Sequence, residues 1–165
     1  MWQRRSANGL TSWFAYTYTR TQMDERFTGA RFIADHDLRH QVHVFLSYRL
    51  RPTVNLSTRF SYATGLPIGG FFEQRNGDYF LSPMGNLLRL PGYQRTELRL
   101  NKAFIRRHFQ ATLFVEVINL TNRRNVRVDD SRGFDARTQR ARIVFVRTFP
   151  ILPSAGIVFD FLLSI

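Results

Sequence analysis

The chain has 165 residues, room for one domain or at most two, and its 44% hydrophobic and 15% aromatic content is too rich for a disordered chain. With no cysteine it is neither a disulfide-stapled scaffold nor a Cys-ligated metal domain, and its redox compartment stays open. Its 24 basic residues leave a net charge of +12 over 12 acidic ones, and because Lys102 is the only lysine the excess is almost wholly arginine.

The first residues carry a basic pair, Arg4-Arg5, but run into Thr11, Ser12, Tyr16 and Thr17, so no secretory signal is expected there. The first strand is expected over Leu10 to Arg20, with Phe14, Tyr16 and Tyr18 on one face. A long polar connection, Thr21 to Leu38, follows. The next strand spans Arg39 to Leu50, where Val42, Val44, Leu46, Tyr48 and Leu50 alternate with Gln41, His43, Phe45, Ser47 and Arg49. Arg51-Pro52 marks a tight turn into a third strand, Thr53 to Ala63, with Val54, Leu56, Phe60 and Tyr62 opposite Asn55, Ser57, Arg59 and Ser61. A second long connection, Thr64 to Gly92, leads to strand Tyr93 to Ala103, where Leu98 and Leu100 alternate with Arg95, Glu97, Arg99 and Asn101. A short basic link, Phe104 to His108, precedes strand Phe109 to Val128. There Phe109, Ala111, Leu113, Val115 and Val117 alternate with Gln110, Thr112, Phe114, Glu116 and Ile118. A third long loop is placed roughly over Asp129 to Thr138, with Asp129-Asp130 as a hairpin tip. The last strand, Arg140 to Phe161, is interrupted at Pro150-Ile151-Leu152-Pro153, and Pro150, Pro153 and Asp160 also stop this apolar end from spanning a bilayer as a helix.

No segment sustains a helical period. The expected fold is therefore all-β, an antiparallel up-and-down meander of about six long strands without a separate second domain. Strands of about 10 to 12 residues exceed the usual globular length of about 5 to 6 and suit a tilted membrane strand of about 9 to 11. Short turns at one end and long loops at the other, with aromatics near strand ends, are marks of outer-membrane barrels. On that reading Arg49, Arg59, Arg95, Glu97, Arg99 and Glu116 face a wet lumen, and charges stay off the lipid face. A large soluble sandwich with one buried face is the competing fold, but its strands are ordinarily shorter.

Five stretches in order, covering nearly the whole chain, resemble the C-terminal barrel of TonB-dependent outer-membrane receptors. They are Gly9 to Thr19 (GLTSWFAYTYT), Asp37 to His40 leading into Phe45 to Leu50 (FLSYRL), Arg89 to Leu100 (RLPGYQRTELRL), Val115 to Val126 (VEVINLTNRRNV) and Leu152 to Phe161 (LPSAGIVFDF). Within the last, Ser154, Gly156, Phe159 and Phe161 resemble the terminal-strand signal read by the outer-membrane assembly machinery; here the chain runs on through Leu162 to Ile165. The resemblance implies a partial wall of a 22-stranded barrel, placed in a cell outer membrane of Gram-negative type and used for nutrient uptake. Its partners would be outer-membrane lipid, the assembly machinery and the remaining barrel strands. TonB would be reached only through a plug domain, which is not expected within these residues, so the chain reads as a fragment.

No catalytic constellation, cofactor motif or metal site is expected: Gly-x-Ser-x-Gly, P-loop and Gly-x-Gly-x-x-Gly are all lacking. His36, His40 and His43 cluster beside Asp35 and Asp37, but with His36 in a loop and His43 on the inward face they are expected to be solvated. The arginine excess has three readings. One is lumen lining that steers anionic solutes. Another is lipopolysaccharide or phosphate contact by Arg123, Arg124, Arg127, Arg132, Arg137 and Arg140. The third is nucleic-acid binding, which is not expected, because the aromatics lie largely on the face away from the arginines. Besides the receptor segment, two alternatives stay open: a stand-alone structural or pore-forming outer-membrane β-protein, and a soluble basic polyanion-binding β-domain.

Overall fold

The computed structural model describes residues 1–5, 8–128 and 133–161, and of Arg4 and Arg5 the backbone only. The proposed tip Asp129-Asp130, Arg132 and the tail Leu162 to Ile165 lie outside the described residues. Among the described residues there is strand and turn but no helix.

In chain order, β1 (Trp2–Arg5) and β2 (Leu10–Tyr18) pair at the start. A connection holding the small hairpin β3 (Gln22–Asp24) and β4 (Arg31–Ile33) leads to β5 (His40–Arg51) and β6 (Val54–Ala63). A second, holding hairpin β7 (Phe72–Arg75) and β8 (Asp78–Leu81), leads to β9 (Tyr93–Ile105) and β10 (Phe109–Ile118). The third holds β11 (Val126–Val128), β12 (Gly133–Asp135), β13 (Arg140–Arg142) and β14 (Phe145–Arg147), then gives β15 (Leu152–Phe161). The main sheet is antiparallel with order β1-β2-β5-β6-β9-β10-β15, an up-and-down meander as expected, with seven strands because short β1 is added to the six long ones.

Two strands are shorter than expected. The strand from Phe109 stops at Ile118 because Asn119 takes a left-handed φ of 55°, which breaks the ladder. The last strand starts at Leu152 rather than Arg140, so the third connection runs over residues 119–151. The connections are also not plain polar loops, since each carries hairpins of its own.

Registers divide the sheet into two faces. One carries Phe14, Leu46, Leu56, Leu98, Leu113, Ile157 and their alternates; the other carries Arg49, Arg59, Glu97, Arg99 and Glu116. The apolar face is covered by nothing: Phe14 is 42% exposed, Leu100 43%, Val115 50% and Ile157 56%. The buried apolar side chains among the described residues, Ala34, Pro67, Ile68 and Ala141, sit in the connections and not beneath the sheet. The lipid face expected from the sequence is free of charge. The apolar face is not wholly free of charge, because Lys102 and the backbone position of Arg4 fall on it.

The registers also contain a stagger. The loop-side end of the sheet lies at Tyr18↔His40 on β2 and β5. On β10 and β15 it lies at Ile118↔Leu152, one residue past Val117, which is in line with Leu98, Thr58 and Leu46. Four strands across, the end has thus moved from the level of His40 to that of Phe45, five residues. The turn-side ends move the same way by a similar amount, from Leu10↔Tyr48 to Ile105↔Gln110. With about 3.3 Å per residue and about 4.8 Å between strands, that slope tilts the strands by about 40° from the normal to the line of their ends. Barrel closure demands this kind of shear, and membrane barrels tilt by about 35–45°.

Candidate functional site: a charged sheet face and clamped loops

Three registered rows cross the polar face. One is Gln3, Trp13, Phe45, Arg59 and Glu97; the second is Thr11, Ser47, Ser57, Arg99, Glu116 and Ser154. The third, nearer the turns, is Arg49, Asn55, Asn101, Phe114 and Gly156. The period of two in each strand, held in register by two short turns, is what brings these residues together. Glu97 takes Arg95 at 2.7 Å and Arg59 at 3.7 Å, and Glu116 faces Arg99 at 3.8 Å. These pairs are partly exposed and each is worth about 0.2–1 kcal/mol. Five of the six charged residues expected on this face from the sequence are thus paired by the structure. Arg49 has no ion-pair partner among the described residues and borders an open cleft of about 450 Å³ with Thr11, Asn55, Asn101 and Gln110.

The four terminal-strand residues divide between the faces. Ser154 and Gly156 lie on the polar side, Phe159 and Phe161 on the apolar side. Gly156 has a packing reason: an added Cβ would stand 2.7 Å from Cζ of Phe114. That ring lies over the glycine and carries the Arg99 guanidinium 4.1 Å from its centroid. Arginine, aromatic ring and glycine thus form one stack across β9, β10 and β15.

Above the loop end, the connections are held by buried polar side chains that no local sequence pattern announces. Asp37 is fully buried. It accepts the Thr21 N–H at 2.8 Å and pairs with Arg39 at 3.3 Å and with Arg89. Arg89 also donates to the carbonyls of Asp37 at 2.8 Å and Gly65 at 3.1 Å. Burial pushes the Asp37 carboxyl upward, but the Thr21 N–H, the Arg89 bond and charge, and Arg39 outweigh it and hold it below 3.8. Asn86, with φ 62°, donates to the Ile33 carbonyl at 2.6 Å and to Asp35 and accepts the Gly70 N–H at 3.2 Å. Asn125 accepts the N–H of Gln94 at 2.9 Å and donates to its carbonyl at 2.7 Å, so its amide continues the sheet as a strand would. Asn119 donates to the carbonyls of Arg123 at 3.1 Å and Phe149 at 3.2 Å, tying both ends of the third connection.

The histidines do not converge. His43 meets Ser61 at 3.2 Å on the polar face, His40 meets the Tyr16 hydroxyl at 2.8 Å on the apolar one, and His36 is exposed in a loop. The separation of aromatics from arginines is less complete than expected. Trp13 and Phe45 stack at 6.3 Å on the polar face with Arg59 next in register, and Phe114 lies under Arg99. Chemically, the face offers hydrogen-bond donors, acceptors and paired charges to water or to solutes. Compared with known proteins, the chain matches no family model, no curated protein and no solved structure.

Proposed function

We propose that this chain is a wall segment of an outer-membrane β-barrel, the C-terminal strands of a TonB-dependent receptor used in nutrient uptake. Its apolar face meets lipid and its Arg/Glu face meets a water-filled interior. The observation that carries the reading is the uncovered apolar face. A soluble domain must bury such a face against a second layer, whereas Leu46, Leu100, Leu113 and Ile157 stand open to the surroundings.

Three further features support it. The strands are staggered to a tilt of about 40°, as a barrel wall requires. Aromatics border the apolar band at both ends, with Tyr16, Tyr18, Phe60 and Tyr62 toward the loops and Tyr48, Phe104, Phe109 and Phe159 toward the turns. The short links, Pro52-Thr53 and Arg106 to His108, lie at one end and the long connections at the other. Family membership itself rests on the five sequence stretches. In this role β15 is the strand that the assembly machinery reads, the clamped connections face outward, and TonB acts through a plug outside these strands.

The test is the behaviour of the purified full chain. Recovery only in detergent or lipid is expected; a monodisperse monomer in plain buffer would overturn the proposal. The Trp13–Phe45 stack beside Arg59 favours a second reading, a polyanion-binding face. A salt-dependent mobility shift with single-stranded nucleic acid, lost in Trp13→Ala, would favour it instead.

A further inference from the structure

The two ends of the sheet differ in their acidic residues, which the loop end carries and the turn end almost lacks. Of the ten acidic residues among the described residues, Asp160 alone lies at the turn end, near the edge of β15. Arg49, Arg51, Lys102, Arg106 and Arg107 lie there as well, and the register adds the positions of Arg4 and Arg5. Among the described residues, five ion pairs hold loop arginines and three lie on the polar face, but none lies at the turn end. Arg51, Arg106 and Arg107 are exposed at the tips of the two short turns.

Lys102 shows how this rim meets the apolar band. It is the one lysine on that face, and its Nζ reaches toward the end of the strand to Thr53 Oγ1 at 2.8 Å, 5.8 Å from the Phe104 ring. A cation carried on an apolar stem and turned to the border of the band is the geometry of snorkelling. The aromatic band of Tyr48, Phe104, Phe109 and Phe159 lies immediately beside it.

We infer that the turn-side rim, with Arg51, Arg106 and Arg107 as its exposed cations, binds the headgroups of anionic phospholipids in the leaflet that surrounds it. The inference rests on the lipid-facing reading and adds a headgroup class to it. Cations held at the headgroup level of a bilayer attract acidic lipids, each contributing modestly and together selectively.

The test uses the full chain in neutral-detergent micelles doped with phosphatidylglycerol or phosphatidylcholine brominated in the acyl chains. Trp2, on the apolar face and 55% exposed, is the reporter for quenching. Phosphatidylglycerol should quench at a concentration lower by on the order of tenfold. The Arg51→Gln/Arg106→Gln/Arg107→Gln variant should lose that preference while keeping quenching by phosphatidylcholine. A loop-side control, Arg123→Gln/Arg124→Gln/Arg137→Gln, should keep it. Equal quenching by both lipids, a preference that survives the turn-side change, or one lost equally in the loop-side control would overturn the inference and leave the lipid-facing reading standing. Quenching by neither lipid would overturn both.

Discussion

An alanine at Gly65 would put its Cβ 1.6 Å from the Leu90 carbonyl oxygen and 2.4 Å from the carbonyl carbon. Both are backbone atoms, so no side chain can rotate away, and an ordinary contact of about 3.2–3.5 Å requires the two facing segments of the connection, around Gly65 and Leu90, to part. That separation acts on the Leu90 N–H to Leu66 carbonyl bond at 2.9 Å, the Ile68 N–H to Leu88 carbonyl bond at 2.8 Å and the Arg89 bond to the Gly65 carbonyl at 3.1 Å. At about 0.5–1.5 kcal/mol each, losing three such bonds costs about 2–4 kcal/mol of local order. Hydrogen exchange read by mass spectrometry over residues 64–92, on protein in detergent, should therefore accelerate by on the order of 30- to 1,000-fold in Gly65→Ala. The long strands should keep their protection. Gly77→Ala is the control: its Cβ position meets nothing within 4 Å, and only the hairpin tip, with φ 87°, should respond. Unchanged exchange over residues 64–92 in Gly65→Ala would refute the clamp as described.

Asp37→Asn removes the charge that Arg89 and Arg39 face and should loosen the first two connections by about 2–3 kcal/mol, seen as faster exchange at Thr21. Because the folded carboxyl titrates below its ordinary 3.8, the clamp is fully present above that pH and is lost only as pH falls through the lowered value. The Thr21 amide chemical shift should thus stay constant from neutral pH to about pH 5 and move only in stronger acid; a midpoint above pH 5 would contradict the assignment. Gly156→Val should cost about 1–3 kcal/mol in urea unfolding by pushing Phe114 off its site and away from Arg99. Adding Phe114→Ala should recover part of that loss, and strict additivity would refute the stack. Leu100→Arg, in mid-strand on the apolar face, should destabilise the lipid-embedded protein by about 2–4 kcal/mol. A neutral effect there would place Leu100 away from lipid.

The long strands were legible because period-two patterning over about ten residues leaves little ambiguity about which side chains share a face. Arg59, Glu97, Arg99 and Glu116 could be assigned to one side from that alone. The stagger could not, since it depends on pairings between strands that no single strand encodes. The small hairpins escaped because three- or four-residue strands are too short to show a period, although Asn76-Gly77 is a hairpin dipeptide and was a usable signal. The clamps escaped for a different reason. Asn86 and Ile33 are 53 residues apart, Asp37 and Arg89 52, so each is a lone polar residue until the loops fold together. Asn119 misled in another way. The apolar alternation of β10 resumes at Val126 and Val128, which hides the left-handed break at Asn119.

The central claim is that one face of this sheet contacts lipid while the other contacts water, and the chain's lack of cysteine makes it directly measurable. Single cysteines at Leu46, Leu100 and Leu113 on the apolar face, and at Ser57, Asn101 and Thr112 on the polar face, would carry nitroxide labels in protein reconstituted with lipid. The account predicts that the first set is relaxed by oxygen and shielded from a water-soluble nickel chelate, with the second set reversed. Nickel access at Leu46, Leu100 and Leu113, or shielding of both faces from oxygen and nickel alike, would contradict it.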